Sequence, residues 1–357
     1  MSNASYRFSF GPWNIHEGAD PFGPPVRNTV AFTGKLKMYK ELGFDGVQLH
    51  DDDAVPDLGR LSNAEVLRKA AELKTLLGDH GLVAEFVGPR LWEDPRTIDG
   101  AYTSNNAAER QYAIDRARLS MDIAAAVGAG YIVLWLAREG TYIRESKNAR
   151  VAHAQLLDAL NLMLGHHPDM KILIEPKPNE PMDHAYIPTI GHALHLGSRS
   201  IAPERCGGLI ETAHAVLAGL DPSDEMAYAL AFDKLWSVHL NDQNGLKFDE
   251  DKSFGAANLR AAFNQVRVLE EYDYAGKGYW VGLDVKALRT TRPEHQTRHL
   301  ANSKRFFEIL VEKVRSFDKS AEAALIADRD YEGLEGLVLE HLMGARGGPA
   351  ADHSRSS

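Results

Sequence analysis

Cysteine is almost absent from this chain of 357 residues, in which Cys206 is the only one. A single thiol excludes an intramolecular disulfide, a CxxC redox pair and a zinc site built from cysteines. Chains without structural disulfides are typical of reducing compartments, so we expect a cytoplasmic protein.

The chain also lacks a basic excess and a long apolar run. Lys and Arg number 40 against 50 Asp and Glu, a net charge of −10, which disfavours a general nucleic-acid binder. The longest mostly apolar run, 123–137, is about 15 residues long and contains two glycines, whereas a membrane-spanning helix needs about 20. Apolar residues still make up 44% of the chain, enough for a sizeable core. We expect a globular protein without a nucleic-acid or membrane partner.

Short β-like runs alternate with longer helical stretches along most of the chain. Eight runs are predicted as strands: 8–10, 46–50, 82–87, 131–136, 171–175, 206–211, 236–240 and 279–284. Eight strand–helix units in about 310 residues predict an α/β fold closed into a (β/α)8 TIM barrel. The alternative is an open doubly wound sheet. Such a sheet typically has a G-x-G-x-x-G turn after its first strand, and here that strand leads into Gly11, Pro12 and Trp13.

Helical patterning continues beyond the eighth unit. Residues 318–343 have it, and a segment rich in Gly, Ala, Ser and Arg follows from 344. We therefore predict a TIM-barrel catalytic domain over residues 1–316 and a C-terminal helical arm with a disordered tail over residues 317–357. Because an appended arm of this kind often packs on a neighbouring subunit, we expect a homo-oligomer.

Metal-competent side chains lie at the ends of the last four predicted strands. They are Glu175, Glu211, His239 and Asp284. In TIM barrels the carboxyl ends of the strands meet at one rim, which carries the chemistry. Any one of these residues could simply cap the loop or helix that follows it. Four together would repel one another unless a cation lay between them, so the pattern predicts a metal site.

A second set of candidate ligands lies beside the first. Glu211 and His214 are three residues apart, which places both on one face of a helical turn. Asp249 and Asp251 lie in the loop after the seventh strand. Oxygen ligands from a loop suit Mg²⁺ or Mn²⁺, although a solvated acidic turn has the same composition.

Two further segments carry acid–base chemistry. His50 precedes three aspartates, Asp51–Asp53, and a histidine beside a carboxylate is a general acid–base pair in which the carboxylate fixes the tautomer. An exposed acidic loop is the alternative. Lys177 lies between two prolines that stiffen its turn. A lysine there can polarise a substrate oxygen near the metal, unless it is a surface residue paired with Glu180.

Tryptophans follow three of the early strands. Trp13, Trp92 and Trp135 come after the first, third and fourth strands. Aromatic rings at a barrel mouth suit the C–H faces of sugars, but they are equally typical of packing at the rim. On their own they leave both interpretations open.

In order and spacing, these segments resemble the xylose isomerase family, TIM-barrel enzymes that interconvert aldoses and ketoses with two divalent cations. The resemblance runs from about Phe10 to Arg289, and its most specific segment is Ile174-Glu175-Pro176-Lys177-Pro178-Asn179-Glu180-Pro181. The others are Asp20-Pro21-Phe22-Gly23, His50-Asp51-Asp52-Asp53, Arg138-Glu139-Gly140, Glu211-Thr212-Ala213-His214, Ala218-Gly219-Leu220, Leu240-Asn241-Asp242-Gln243, Phe248-Asp249-Glu250-Asp251 and Asp284 with Ala287-Leu288-Arg289.

The resemblance implies a role for each candidate. The first cation would be bound by Glu175, Glu211 and Asp284, and a second one by Glu211, His214, Asp249 and Asp251. His50, oriented by Asp53, would assist opening of the cyclic sugar, and Lys177 would hydrogen-bond the oxygen at C1. The reaction implied is the conversion of D-xylose to D-xylulose, a reaction of the same type as D-glucose to D-fructose, by a hydride shift between C2 and C1.

The resemblance also implies features of the pocket and the assembly. Trp13 and Trp135 would wall the pocket, with Trp92 beside them. Phe22 would reach in from a neighbouring subunit. The family is commonly tetrameric, with a C-terminal arm that wraps a partner, so a dimer or tetramer is expected. No nicotinamide is required.

Four positions depart from the family pattern. His239 replaces an aspartate at the first cation, which removes one negative charge and adds a nitrogen ligand. This change favours Mn²⁺ or Co²⁺ over Mg²⁺. Leu136 and Ala137 replace two glycines, and Trp92 replaces a phenylalanine. The identity of the sugar is therefore less well defined than the class of reaction.

Two alternatives follow from these departures. Two Glu, one His and one Asp also resemble the ligand sets of rhamnose isomerases and ketose 3-epimerases. An enzyme of altered specificity, either a sugar epimerase using an enediol route or a metal-dependent lyase acting on a modified sugar, would have this pattern. The other alternative is a non-catalytic barrel that binds sugar or metal. His50, Asp53 and Lys177 argue against it, because binding alone needs no acid–base group.

Overall fold

The computed structural model describes residues 5–345 and contains a closed barrel of eight parallel strands. The strands are β1 (Arg7–Phe10), β2 (Gly46–His50), β3 (Val83–Gly88), β4 (Tyr131–Trp135), β5 (Lys171–Glu175), β6 (Cys206–Glu211), β7 (Leu235–Leu240) and β8 (Trp280–Leu283). Each strand pairs with its neighbours in sequence, and β8 pairs with β1. The TIM barrel predicted from the alternating pattern is confirmed.

The last residues of neighbouring strands lie at the same level along the barrel axis. Glu175 of β5 is in register with Trp135 of β4, and His239 of β7 is in register with Glu211 of β6. The apolar residues before them are buried, as expected for parallel strands that helices cover from outside. β8 ends at Leu283, one residue before Asp284. The predicted metal ligands therefore lie on the same rim of the barrel.

Twelve helices surround or extend the barrel within the described residues. They are α1 (Phe32–Glu41), α2 (Asp51–Ala54), α3 (Asn63–Asp79), α4 (Ala107–Val127), α5 (Ala149–His166), α6 (Ile190–Ser198), α7 (Thr212–Leu217), α8 (Pro222–Ala231), α9 (Leu259–Glu271), α10 (Arg298–Arg315), α11 (Lys319–Asp328) and α12 (Tyr331–Met343). Ser62 and Glu65 form the capping box that starts α3. None of these helices is long and apolar enough to cross a membrane.

The starts of two helices follow from the residues that precede them. α8 begins at Pro222, because Asp221 caps it and proline suits the first helical position. α1 begins at Phe32, and Ala31 before it is still extended.

A two-residue strand pair, absent from the prediction, joins the loops that follow β4 and β5. Gly140 pairs with Ala185 and Thr141 with His184 in antiparallel orientation. A Cβ atom on Gly140 would lie 2.2 Å from the carbonyl oxygen of His184, so only glycine fits there.

The C-terminal helices α11 and α12 pack on their own barrel. Arg267 of α9 donates from Nη2 to Glu322 of α11 at 3.0 Å, and Lys313 of α10 donates to the carbonyl oxygen of His341 of α12 at 2.6 Å. Val338 of α12 belongs to the buried core. The described part of the predicted arm thus contacts its own chain. The predicted disordered tail begins at residue 344, and its residues 346–357 lie outside the described residues.

A buried histidine makes the stability of the barrel depend on pH. Nε2 of His299 on α10 lies 2.9 Å from the carbonyl oxygen of Asn14, and burial lowers the pKa of His299 to about 4. The unfolded chain, with an ordinary histidine pKa of about 6.5, therefore binds the extra proton first as pH falls. The contribution of His299 to stability is complete above pH 6.5 and is lost progressively towards pH 4.

We expect His299→Gln to remove this dependence, because glutamine can donate to the same carbonyl but does not titrate. Between pH 7 and pH 4.5 the wild-type protein should lose about 2 kcal/mol more unfolding free energy than the variant. Urea unfolding at both pH values measures the difference. His295→Gln, at an exposed position, should behave like the wild type. Equal losses in wild type and His299→Gln would contradict the prediction.

Candidate active site

A cavity of about 500 Å³ opens at the rim where the strands end. All but two of the predicted site residues line it: Trp13, His50, Trp92, Trp135, Glu175, Lys177, Glu211, His214, His239, Asp249, Asp251 and Asp284. Asp53 lies behind His50 and accepts a hydrogen bond from its backbone N–H. Phe22 is 81% exposed, packs against the ring of Phe248, and does not line the cavity of its own chain.

The first ligand group consists of residues from the last four strands or the position just after. Nδ1 of His239 lies 3.4 Å from Oε1 of Glu175 and 3.8 Å from Oε2 of Glu211. One donor atom each of Glu211, His239 and Asp284 lies within 4.8 Å of the others. The side chains that the sequence predicted to converge are therefore close enough to share one ion.

The second group adjoins the first through Glu211. Helix α7 begins directly after β6, so His214 lies above Glu211, with Nε2 at 3.2 Å from Oε1 of Glu211 and 3.1 Å from Oδ2 of Asp249. Donor atoms of Glu211, Asp249 and Asp251 also lie within 4.8 Å of one another. Glu211 is thus shared by the two groups of candidate ligands.

The electrostatics of the cluster favour a positive charge at its centre. Burial raises the pKa of Glu211 to about 8, an effect that His214 opposes and Asp249 reinforces. Burial, together with Asp249, also raises the pKa of Asp251 to about 8. Glu175 is buried too, but His239 and His214 bring its pKa below the ordinary value. Cations between these carboxylates would hold them ionised at neutral pH.

Several buried polar atoms in the cluster have no hydrogen-bond partner among the described residues. They are Nδ1 and Nε2 of His239, Nδ1 of His214 and Oδ1 of Asp249. Buried groups of this kind are rarely left unsatisfied in folded proteins. Imidazole nitrogens and carboxylate oxygens are ligands for Mn²⁺, Co²⁺ and Zn²⁺, and the oxygens also suit Mg²⁺. The residues present therefore fit divalent cations.

Lys177 is buried between the cluster and an aromatic wall. Nζ lies 2.8 Å from Oδ2 of Asp249, 3.3 Å from Oε2 of Glu180, and 5.2 Å from the centre of the Trp135 ring. Burial would lower the pKa of Lys177, but Asp249 and Glu211 raise it above its ordinary value. The pairing with Glu180 exists, yet Lys177 is not a surface lysine. It is a charged ammonium facing the cavity.

The aromatic wall includes His50. Its ring lies 4.3 Å from the ring of Trp13 and 4.9 Å from that of Trp92, which in turn lies 4.6 Å from Trp135. Nε1 of Trp13 also donates to Oδ1 of Asp284 at 3.0 Å. The tryptophans thus form one face of the cavity and contact the metal-competent residues at its edge.

Three residues to which the sequence analysis assigns no role contact the site. Asn241 donates from Nδ2 to Glu211 at 2.9 Å and to Asp251 at 3.1 Å. It is two positions after His239, a period-2 relation that could have identified it. Lys286 donates to Asp251. Arg90, in the loop after β3, contacts His50 and carries no local signal for that contact.

Comparison with known proteins agrees with these motifs. A family model described as a xylose isomerase-like TIM barrel matches residues 36–303. The xylose isomerase of Thermus thermophilus is 35% identical over 323 residues, which are 89% of this chain and 82% of that protein.

Solved structures share the fold at low sequence identity. D-psicose 3-epimerase in the presence of D-fructose has a TM-score of 0.62 at 13% identity, over 85% of this chain and 99% of that one. A D-tagatose 3-epimerase-like protein has a TM-score of 0.60 at 17% identity, over 86% of this chain and 99% of that one. The IOLI protein with a bound zinc atom has a TM-score of 0.60 at 15% identity, over 87% of this chain and 99% of that one. With the family model and the Thermus relative matching over most of its length, this chain belongs to the xylose isomerase-like TIM-barrel family.

Proposed function

We propose that the protein is a metal-dependent aldose–ketose isomerase that converts D-xylose to D-xylulose, in the same way as D-glucose to D-fructose, by ring opening and a 1,2-hydride shift. The observation that carries this proposal is the second ligand group, which shares Glu211 with the first and contacts Lys177 through Asp249. A one-ion enzyme has no need of that group. The 35% identical xylose isomerase of Thermus thermophilus supports the same reaction.

Two divalent cations per subunit would occupy the cluster, with Mn²⁺ or Co²⁺ favoured over Mg²⁺ by His239. The first would be held by Glu175, Glu211, His239 and Asp284, and the second by Glu211, His214, Asp249 and Asp251. When bound, such ions act as Lewis acids on two neighbouring sugar oxygens.

The protein side chains supply the remaining functions. Lys177, kept charged by Asp249, would donate a hydrogen bond to the oxygen at C1 and stabilise the negative charge that develops there. The rings of Trp13, Trp92 and Trp135 would cover the sugar and exclude water, which protects a hydride in transit between C2 and C1. His50, which lies within the same aromatic wall, would hydrogen-bond the sugar.

One assay tests this function. The protein is incubated with Mn²⁺ and a panel of aldoses, including D-xylose labelled with deuterium at C2, and the products are identified by NMR. We expect the ketose, with the deuterium retained at C1, because a hydride shift does not exchange with solvent. Absence of any ketose from the whole panel would refute the proposal, and loss of deuterium to water would replace the hydride shift by an enediol route.

His239 supports one alternative, a xylose-isomerase-like enzyme of altered specificity. Its imidazole gives the first group two Glu, one His and one Asp, a set compatible with a sugar epimerase or a metal-dependent lyase on a modified sugar. Conversion of a ketose to its C3 epimer, or consumption of a 3-keto sugar, without any aldose would establish this alternative. Sugar binding without turnover would indicate a non-catalytic barrel.

The same residue gives a prediction about metal preference. His239→Asp replaces the nitrogen ligand by an oxygen ligand and restores a negative charge, so Mg²⁺ should gain relative to Mn²⁺. We expect the ratio of activities with the two metals to shift towards Mg²⁺ by about tenfold, a change typical of altered metal surroundings. Metal titration of turnover measures the ratio. His195→Asp, at an exposed position on α6, is the control, and an unchanged ratio in His239→Asp would contradict the prediction.

Another prediction concerns assembly. We propose a cytoplasmic homo-oligomer, a dimer or tetramer, with residues 1–316 as its catalytic barrel and 317–357 as its arm. Phe22, exposed on its own chain, would enter the pocket of a neighbour. Phe22→Ala should then raise KM for the sugar by about tenfold, or 1.4 kcal/mol. Phe232→Ala, at another exposed phenylalanine, should leave KM unchanged. An unaffected KM in Phe22→Ala would argue against shared pockets.

A further inference from the structure

Nδ1 of His50 has two neighbours with opposite requirements. Nη2 of Arg90 lies 2.8 Å away, and Oδ2 of Asp53 lies 3.0 Å away. A guanidinium only donates hydrogen bonds and an ionised carboxylate only accepts them, while an imidazole nitrogen either carries a proton or offers a lone pair. Nδ1 can therefore satisfy only one of these neighbours, and its choice fixes which nitrogen of His50 carries the proton.

Asp53 has other donors. Its Oδ2 accepts the backbone N–H of His50 at 3.0 Å and lies 3.3 Å from Nη2 of Arg90. The capping interaction with the start of α2 keeps this carboxylate in place without help from the imidazole. Asp53 thus remains satisfied when Nδ1 carries no proton.

The guanidinium of Arg90 has Nδ1 as its best acceptor at that position. Nη2 lies 3.4 Å and 3.3 Å from the two oxygens of Asp53, but only 2.8 Å from Nδ1 of His50. Arginine does not lose its proton in proteins. A proton on Nδ1 would therefore set two N–H groups against each other at hydrogen-bond distance.

Other contacts keep Arg90 against the imidazole. Its Nε donates to Oδ1 of Asp52 at 2.8 Å, its Nη1 lies 3.4 Å from Oε1 of Glu93, and its charge lies 5.4 Å from the centre of the Trp92 ring. The Arg90 side chain is only 18% exposed. It cannot swing away from His50 without losing these contacts.

We propose that Arg90 is a positioning residue that holds His50 in the tautomer with its proton on Nε2. Among the described residues Nε2 has no hydrogen-bond partner, and the ring lines the cavity, so this N–H is available to a ligand. The role of this N–H in catalysis rests on the proposed function: His50 assists ring opening by donating a hydrogen bond to a sugar oxygen. It does not accept a proton, because Nε2 already carries one and Nδ1 is occupied by the guanidinium. Asp53 alone, as in the sequence interpretation, would have left Nε2 bare.

NMR of the full-length protein labelled with ¹⁵N-histidine tests this proposal. Spectra are recorded at pH 8 with Mg²⁺, which is diamagnetic, and the His50 signals are assigned from their loss in His50→Gln. We expect the wild-type His50 to show an unprotonated Nδ1 and a protonated Nε2. In Arg90→Ala the pattern should reverse, because Nδ1 can then donate to Asp53. Arg138→Ala is the control, since Arg138 lines the cavity but contacts the carbonyl of Trp92 instead of His50.

Two more variants separate Arg90 from Asp53. Asp53→Asn should keep the proton on Nε2, because the guanidinium remains. Arg90→Lys keeps a group that can only donate and should keep it as well, which leaves the proposal testable where Arg90→Ala does not fold. A protonated Nδ1 in the wild type, or an unchanged tautomer in Arg90→Ala, would overturn the proposal. The spectra need no sugar, so a failure of the isomerase assay would not alter their meaning.

Discussion

Replacing Glu211 by glutamine is expected to abolish both metal binding and turnover. Glu211 is a member of every ligand group in the cluster, and its two oxygens approach His214 and His239 on opposite sides. Glutamine has the same shape but no charge, so each cation would lose an anionic ligand at once. Since a metal ion contributes several kcal/mol to such reactions, we expect turnover to fall by at least about 10³-fold.

The measurements are metal content by mass spectrometry after dialysis and ketose formation with saturating Mn²⁺. Glu204→Gln is the matched control, because Glu204 precedes the same strand and its side chain is 74% exposed. It should keep both properties. Full metal content in Glu211→Gln would show that the cluster does not hold the ions in the proposed way.

Replacing Lys177 by methionine is expected to lower turnover without changing metal content. The side chains have similar length, but methionine cannot donate to the oxygen at C1. Loss of one such donor typically costs about 10²- to 10³-fold in turnover. Lys177 contacts the cluster through Asp249. Without its ammonium partner, the Asp249 carboxylate can still serve as a ligand.

Lys171→Met is the control for this variant. Lys171 begins the same strand at the opposite end of the barrel and is exposed there. Turnover and metal content should both stay at wild-type levels. If Lys177→Met turned over sugar at the wild-type rate, the lysine would have no part in the reaction. If it lost its metal, the lysine would act through the cluster.

The barrel and most of its site could be predicted because both depend on local patterns. Alternating apolar runs and helical stretches define the eight units, and parallel strands necessarily bring their carboxyl ends to one rim. Glu175, Glu211, His239 and Asp284 could be placed together for that reason alone. The spacing of Glu211 and His214 was equally informative, since it matches one turn of helix α7.

The features that escaped prediction depend on contacts between distant segments. Arg90 and His50 are 40 positions apart, and nothing in either segment shows that the guanidinium turns towards Nδ1. The C-terminal arm was expected to pack on a partner subunit. Its packing against α9 and α10 of its own chain depends on tertiary contacts such as that of Arg267 with Glu322. The strand pair at Gly140 is too short to have a periodic signal.

That strand pair has a consequence for redesign of the enzyme. It joins the Lys177 loop to the loop after β4 through main-chain groups, and beside it Tyr186 donates its N–H to the carbonyl of Glu139 at 2.8 Å. Lys177 donates its own N–H to Ile187 of the same loop at 3.2 Å. Hydrogen bonds between main-chain groups do not depend on which side chains point outwards. The exposed position of His184 can therefore be varied to graft charge, tags or attachment chemistry onto the barrel mouth, while Gly140 opposite it has to be left alone.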